Sequence, residues 1–251
     1  GAVLASSLNN WSVDLAEDGQ RAKALDAIGR AVAIREQLAQ ENFAAYGADL
    51  ASSLNNWSFC LAEDGQRAKA LAVIGRTVSI YEQLAQENFA VYGAVLASSL
   101  NNWSFCLAED GQRAQALAAI GRAVAICEQL AQENFAAHGP DLASSLNNWS
   151  NCLVEDGQRA KALAVIARAV AIREQLAQAN FAAYGPDLAM SLNNWSICLT
   201  ESAVLTAEEA KQLMDIRARL SQIKRRVRDE SVQVPAYLAG LFESSEPDED
   251  G

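Results

Sequence analysis

The segment Ser7-Leu8-Asn9-Asn10-Trp11-Ser12 decides the fold, because it recurs at a fixed interval along the chain. The further copies end at Ser58, Ser104, Ser150 and Ser196. The tryptophans of successive copies, Trp11, Trp57, Trp103, Trp149 and Trp195, are therefore 46 residues apart. A fixed period of about 20–50 residues indicates a solenoid, in which each repeat packs only on its neighbours.

Each repeat is predicted to form two helices, which we call helix A and helix B. In the first repeat the apolar residues Leu4, Leu8, Trp11 and Leu15 are spaced by four, three and four positions, which places them on one buried face of helix A. Gly19 can end this helix in a left-handed turn, and helix B is expected over about residues 20–40. No stretch alternates with period two, so we expect an all-α solenoid of antiparallel helix pairs.

The predicted repeats follow one another without a gap. They cover residues 1–46, 47–92, 93–138 and 139–184, and a divergent fifth copy starts at 185–200. We expect helix A to start just after the glycine that opens each repeat. The prolines of Gly139-Pro140 and Gly185-Pro186 would then occupy the first helical position. The preceding stretch, Asn42 to Gly47 in the first repeat, would be a connector.

The chain departs from this pattern after residue 200, and we predict capping helices over 201–243. Ala203 replaces the glycine that ends helix A elsewhere, and Thr206 to Glu209 has the pattern of a capping box for a new helix. That helix carries an apolar stripe of Leu213, Ile216, Leu220, Ile223 and Val227 and ends in a basic cluster of Lys224, Arg225, Arg226 and Arg228. The cluster is either a docking patch or a favourable helix C-terminus. Residues 235–242 are predicted as a short helix over the last repeat, and residues 244–251 as an acidic, disordered tail.

Composition excludes several classes of partner. The net charge is −11 and the pI is near 4.6, which argues against a nucleic-acid backbone and against an anionic membrane surface. The sequence contains no run of about 20 apolar residues, which a membrane-spanning helix would need.

Four cysteines, Cys60, Cys106, Cys152 and Cys198, occupy one repeat position and are too far apart for disulfides. We therefore expect small, partly buried thiols in a reducing, cytoplasmic compartment, and neither a metal nor a cofactor.

One family resemblance is specific. Leu8, Trp11, Ser12 and Leu15, followed by Gly19, Ala24, Ile28 and Ala31, reproduce the spacing of a tetratricopeptide repeat. The chain resembles a tetratricopeptide array over residues 1–200. Its period exceeds the usual length of about 34 residues, and the closing proline is absent. The long period and the Leu-Asn-Asn segment are similar to the kinesin-light-chain-like class.

The resemblance implies a binding scaffold. In such arrays helix A lines a concave face that binds proteins or peptides, and in some members asparagines line that groove. Asn10, Asn56, Asn102, Asn148 and Asn194 match this position. Bacterial arrays of this kind are often fused to signalling ATPases or caspase-like domains. Because the first repeat is as regular as the second and lacks an initiator Met, we expect Gly1 to lie inside a longer array.

A helical wheel divides helix A into two faces. With about 100° per residue, Ser6, Asn9, Val13 and Glu17 lie opposite the apolar stripe and Asn10 flanks them. We call this side of all the A helices the A-face. Its central position varies between repeats, as Val13, Phe59, Phe105, Asn151 and Ile197. Exposed phenylalanines at a variable position favour contact with a partner.

Two polar rows on or beside the A-face each allow two interpretations. The asparagine pairs are Asn9 and Asn10, Asn55 and Asn56, Asn101 and Asn102, Asn147 and Asn148, and Asn193 and Asn194. They form either an amide ladder for a bound backbone or hydrogen bonds between repeats, and one member of each pair could do each. The acids are Glu17, Glu63, Glu109, Glu155 and Glu201. They either favour a basic or mixed basic and apolar partner or are solvated helix ends.

No constellation of catalytic residues stands out, because nearly every polar group recurs in each repeat. The leading hypothesis is a non-enzymatic scaffold that holds a peptide or a protein surface on its concave face. The alternatives are a structural array that self-assembles head to tail, and a regulatory arm of a larger signalling ATPase or caspase-like protein. A second variable position, Arg35, Tyr81, Cys127 and Arg173 on helix B, has no assigned role.

Overall fold

A computed structural model describes residues 1–201 and 204–243, and all regular structure within these residues is helical. The helices are α1 (Ala2–Glu17), α2 (Arg21–Glu41), α3 (Phe43–Glu63), α4 (Arg67–Glu87), α5 (Phe89–Glu109), α6 (Arg113–Glu133), α7 (Phe135–Glu155), α8 (Arg159–Ala179), α9 (Phe181–Thr200), α10 (Ala207–Asp229) and α11 (Ala239–Glu243). A short 3₁₀ helix covers Ala236–Leu238. The odd-numbered helices α1 to α9 correspond to helix A, and the even-numbered helices to helix B.

The chain divides into two compact units, residues 1–130 and 131–251. In the first unit α1 packs on α2, and each helix packs on the next up to α5. In the second unit α7, α8, α9 and α10 pack in the same sequential way. The predicted class, an all-α solenoid built from antiparallel helix pairs, is confirmed.

Helix α1 begins at Ala2, directly after Gly1 as predicted, but the later A helices begin about one turn before the predicted start. Helix α3 begins at Phe43, and the side chain of Asn42 caps it by accepting a hydrogen bond of 3.1 Å from the Ala45 amide. The stretch from Asn42 to Gly47, expected to be a connector, is therefore helical from Phe43 onward. Pro140 and Pro186 lie inside α7 and α9 for the same reason, since Asn134 and Asn180 cap those helices earlier. An asparagine cap satisfies an amide of the first turn, and the helix starts where that cap sits.

The glycine that was expected to precede helix A has another role. A Cβ atom built on Gly47 would lie 3.1 Å from the ring of Phe43, and the same holds for Gly93 and Phe89. The missing side chain lets the first aromatic residue of the helix pack closely over the next turn. Helix A ends as predicted: Gly19 has φ 71° and Gly65 has φ 78°, the left-handed region that glycine enters at little cost.

Trp57 lies at the seam between two repeats, not deep in the core. Trp57 is half-buried and packs against two clusters, one around Leu8 and Ile28 and one around Leu50 and Leu54. The second cluster contains Val32 and Ala39 of α2, so helix B of one repeat covers helix A of the next.

This arrangement corrects the expectation for the first repeat. Leu4 and Trp11 were predicted to be buried, but they are 52% and 50% exposed, whereas Leu50 at the position equivalent to Leu4 is buried. The physical reason is that the covering helix B comes from the repeat before, and no described helix precedes α1.

Helix α10 closes the second unit with the predicted capping box. The Thr206 hydroxyl accepts a hydrogen bond from the Glu209 amide, and the Glu209 carboxylate accepts one from the Thr206 amide. The Thr206 amide and hydroxyl, together with the Arg159 guanidinium, lower the pKa of Glu209 to about 2. Leu213 and Ile216 are buried in a cluster with Leu192 and Leu199 of α9. Residues 235–242, predicted as one short helix, form the 3₁₀ helix Ala236–Leu238 and most of α11.

The basic end of α10 is partly engaged within the protein. The guanidinium carbon of Arg226 lies 3.7 Å from the centre of the Phe181 ring, and its Nε donates to Glu230. These contacts agree with the interpretation of the cluster as a helix C-terminus. Ala203 and the acidic residues 244–251 lie outside the described residues.

We expect replacement of a seam tryptophan to destabilise the fold more than replacement of Trp11. Trp57→Ala should lower the free energy of unfolding by about 2–3 kcal/mol, somewhat less than for a fully buried tryptophan. Trp11→Ala, the matched change without a covering helix, should cost less than about 1 kcal/mol. Urea denaturation of both variants measures the difference, and equal losses would contradict the seam position of Trp57.

Candidate functional site

The central position of the A-face is exposed in both units. In the first unit Phe59 on α3 and Phe105 on α5 are 65% and 64% exposed, and Val13 on α1 is exposed as well. In the second unit Asn151 and Ile197 are exposed at the equivalent position. Two large aromatic rings are thus left in solvent at one position of successive A helices. Contact of these residues with a partner stays a prediction.

The first asparagine of the pair is not on the exposed surface in every repeat. Asn9 and Asn147 were placed on the A-face, but Asn9 is only 8% exposed and Asn147 is also buried. The Ser53 hydroxyl donates to Asn9 Oδ1 at 2.9 Å, and Ser191 makes the same bond to Asn147 at 3.4 Å. A buried amide oxygen needs a donor, and the serine of the following repeat supplies it.

The second asparagine of the pair also reaches across a repeat junction. Asn56 Nδ2 donates to Asn9 Oδ1 at 3.3 Å, and Asn102 Nδ2 donates to Asn55 Oδ1 at 3.1 Å. The interpretation as hydrogen bonds between repeats is therefore confirmed for these pairs. Asn10, Asn102 and Asn148 remain exposed, while Asn55, Asn56, Asn101, Asn193 and Asn194 are half-buried. Their use by a bound backbone stays a prediction.

Arg35, to which the sequence assigned no role, lies beneath the A-face where α1, α2 and α3 meet. It is 6% exposed. Its Nη1 donates to the Asp49 carbonyl at 2.8 Å and to the Ser53 hydroxyl at 2.5 Å, and its Nη2 donates to the Ser6 hydroxyl at 3.2 Å. All three acceptors are neutral oxygens. A buried cation must be hydrogen-bonded, so this network restricts the spacing of α1 and α3.

The equivalent position changes character along the chain. In the second unit Arg173 repeats the pattern: it donates to the Ser144 hydroxyl and to the Asp187 carbonyl, and burial lowers its pKa. Between them Tyr81 is buried, and burial together with the nearby Asp49 carboxylate raises its pKa. Sequence reasoning missed these residues as a site. The available signal was that this position lies near the buried side of helix B and yet changes its residue type from repeat to repeat.

The acidic row lies at the ends of the A helices, where all five glutamates are exposed. Glu109 pairs with Arg67 at 3.2 Å. Among the described residues, the carboxylates of Glu17 and Glu63 form neither a hydrogen bond nor an ion pair. The row is therefore partly neutralised by the protein itself and partly available.

Three of the cysteines are poor nucleophiles. Burial raises the thiol pKa of Cys60, Cys106 and Cys198 above the ordinary value, which disfavours the nucleophilic thiolate. Within residues 1–201 and 204–243, no group of three or more His, Cys, Asp or Glu side chains could hold a metal ion. No helix in the same residues is both long and apolar enough to span a bilayer.

Comparison with known proteins supports the resemblance seen in the sequence. Residues 4–44 match the family model of the tetratricopeptide repeat. A search of curated protein sequences finds no significant match.

Several solved structures share the fold at low sequence identity. BtubC (BKLC) from P. vanneervenii has a TM-score of 0.67 at 16% identity, over 98% of this chain and 84% of that one. The nearly identical TPR-like repeats of a Podosopora anserina kinesin light chain candidate have a TM-score of 0.66 at 14% identity. The match covers 89% of this chain and 96% of that one. The apo form of RapI has a TM-score of 0.62 at 15% identity, over 96% of this chain and 79% of that one. The predicted similarity to tetratricopeptide arrays of the kinesin-light-chain-like class is thus confirmed.

The bond between Ser53 and Asn9 can be tested against a control within the chain. Ser99, the equivalent of Ser53 in the next repeat, donates to Val95 of its own helix instead. A double-mutant cycle of Asn9→Ala with Ser53→Ala should give a coupling of about 0.5–1.5 kcal/mol in unfolding free energy. The cycle of Asn55→Ala with Ser99→Ala should give a coupling near zero. Equal coupling in both cycles would show that the hydrogen bond does not link the repeats.

Proposed function

We propose that this tetratricopeptide-like array is a non-enzymatic scaffold that binds a peptide segment or a protein surface on its A-face, the concave face of related arrays. The observation that carries the proposal is the exposure of Phe59 and Phe105 on consecutive A helices. Exposure of each ring to water is unfavourable, and burial of the ring against an apolar side chain of a partner would be favourable. The hydrogen-bonded network beneath supports the proposal, because a rigid surface loses little entropy when a ligand binds.

The chemistry around the two rings favours a partner with apolar and basic groups. Along helix A, an amide lies one turn before each phenylalanine, at Asn56 and Asn102, and an acid lies one turn after, at Glu63 and Glu109. The amides can donate to and accept from a peptide backbone. The Glu63 carboxylate would attract a lysine or arginine, although Arg67 already partly satisfies Glu109.

The repetition of polar groups supports a binding role over catalysis, because acid–base chemistry requires one distinctive set of residues. The five free cysteines support a location in the reducing cytoplasm.

The test uses peptides selected from a displayed random library for binding to the full chain. The double variant Phe59→Ala with Phe105→Ala should weaken the selected peptides at least about tenfold, since two apolar contacts are lost. Its melting temperature should stay unchanged within about 2 °C, because both side chains are solvated. Isothermal titration calorimetry and thermal denaturation give the two readouts.

Met214→Ala is the matched control, because Met214 is an exposed apolar residue on α10, away from the A-face. This variant should bind the selected peptides like the parent chain. Unchanged binding by the phenylalanine variant would overturn the proposal, and a large loss of stability would place the rings in the core.

A further inference from the structure

In the second unit a segment of the chain itself contacts helix A in its second turn. The hydroxyl of Tyr237, in the 3₁₀ helix near the chain's end, donates to Asp187 Oδ1 at 3.0 Å. Asp187 lies on α9, and its Oδ1 is 4.0 Å from the buried guanidinium of Arg173. Partial burial and the bond to Asp187 raise the pKa of Tyr237. A segment of the chain therefore presents a tyrosine to an Arg–Asp pair.

The same residues recur in the first unit, 138 positions earlier in the numbering. Arg35 replaces Arg173, and Asp49 replaces Asp187. Both arginines donate to a serine hydroxyl of the preceding A helix and to the backbone carbonyl of the aspartate. The two sites thus share a buried arginine and an aspartate whose backbone carbonyl accepts a hydrogen bond from it.

The first-unit site differs in the exposure of its aspartate. Asp49 is exposed, although α5 packs beside this repeat, whereas Asp187 is half-covered. Among the described residues the Asp49 carboxylate has neither a hydrogen-bond donor nor an ion-pair partner. The site can therefore accept a donor from outside without displacing one that is already there.

We propose that Asp49, with Arg35 beneath it, binds the hydroxyl of a tyrosine in a peptide segment lying on the A-face of the first unit. The inference rests on the proposed function and specifies one side chain of the ligand. A neutral phenol suits this site, because it can donate to the carboxylate without adding a charge beside the buried guanidinium. A hydrogen bond to a charged group is also stronger than one between neutral groups.

The spacing along α3 sets a second requirement. Asp49 and Phe59 are ten residues apart, which is about 15 Å along a helix. An extended peptide covers about 17 Å in five residues. The chain's own segment from Val232 to Phe242 has this spacing in its sequence, since Phe242 follows Tyr237 by five residues. In the second unit the segment is helical from Ala236, so it is shorter there than the extended peptide considered for Asp49 and Phe59. A ligand with a tyrosine and an apolar residue five positions apart would engage both Asp49 and Phe59.

The next junction provides an internal contrast. There Val95 replaces Asp49, and Tyr81 replaces Arg35. This junction has neither the carboxylate nor the cation, so it should not accept a tyrosine hydroxyl. Asp49→Val therefore converts the site into a form that the chain already contains, at an exposed position where folding should be unaffected.

The experiment is an NMR titration of the full chain with a synthetic peptide of residues 232–242, followed through backbone amide signals. Saturable shifts should appear around Arg35, Asp49 and Ser53 at peptide concentrations up to the millimolar range. A peptide with Phe in place of the tyrosine should bind about five- to tenfold more weakly, the loss expected for one hydrogen bond to a charged group at a partly solvated site. Asp49→Val should weaken the tyrosine peptide to the same degree and the phenylalanine peptide little.

Each other outcome overturns the inference. Shifts confined to the surroundings of Asp187 would mean that the peptide only exchanges with the chain's own segment. Equal binding of both peptides would exclude the phenol as the recognised group, and the absence of saturable shifts would exclude the site. Concentration-dependent shifts at Asp49 without peptide, with a doubled mass, would mean that a second copy fills it. If shifts appear only around Phe59 and disappear in Phe59→Ala, the peptide binds the A-face without using Asp49. That result would contradict this inference but agree with the proposed function.

Discussion

The buried guanidinium of Arg35 is the constraint on which the first unit's exposed surface depends. It reaches oxygens on α1 and α3 from α2, so one side chain ties three helices together. Leaving a cation buried without these bonds would cost far more than an ordinary packing defect. Because Ser53 also donates to Asn9, the arginine network and the asparagine network share a member. The distance between successive A helices is set by polar geometry as well as by apolar packing.

The apolar seam performs a complementary role. Helix B of one repeat covers helix A of the next, and Trp57 lies between the two clusters that result. Apolar contact supplies most of the stabilisation but tolerates small sliding movements, whereas hydrogen bonds require specific positions. The seam therefore holds the repeats together and the polar network holds them in register. Phe59 and Phe105 are left free of either role, which is why they are available for a ligand.

The repeat period and the helical spacing of its leucines were sufficient to predict the class of fold, the helix pairs and the exposed position of Phe59. They were insufficient where a residue's role depends on a neighbouring repeat. Trp11 and Leu4 follow the same pattern as Trp57 and Leu50, but burial requires a preceding helix B. Asn9 lies on the correct side of a helical wheel for exposure, yet the adjacent α3 covers it. Asn42 determines the start of α3 through a local cap, which outweighed the signal of Gly47 downstream.

Native-state hydrogen exchange of Asn9→Ala tests the central claim, that polar bonds couple one repeat to the next. Exchange reports local opening free energies residue by residue. If the network couples the repeats, amides of α3 around Ser53 should exchange at least about tenfold faster, together with those of α1. Faster exchange confined to α1 would contradict the account, because the loss of Asn9 would then be felt only within its own helix.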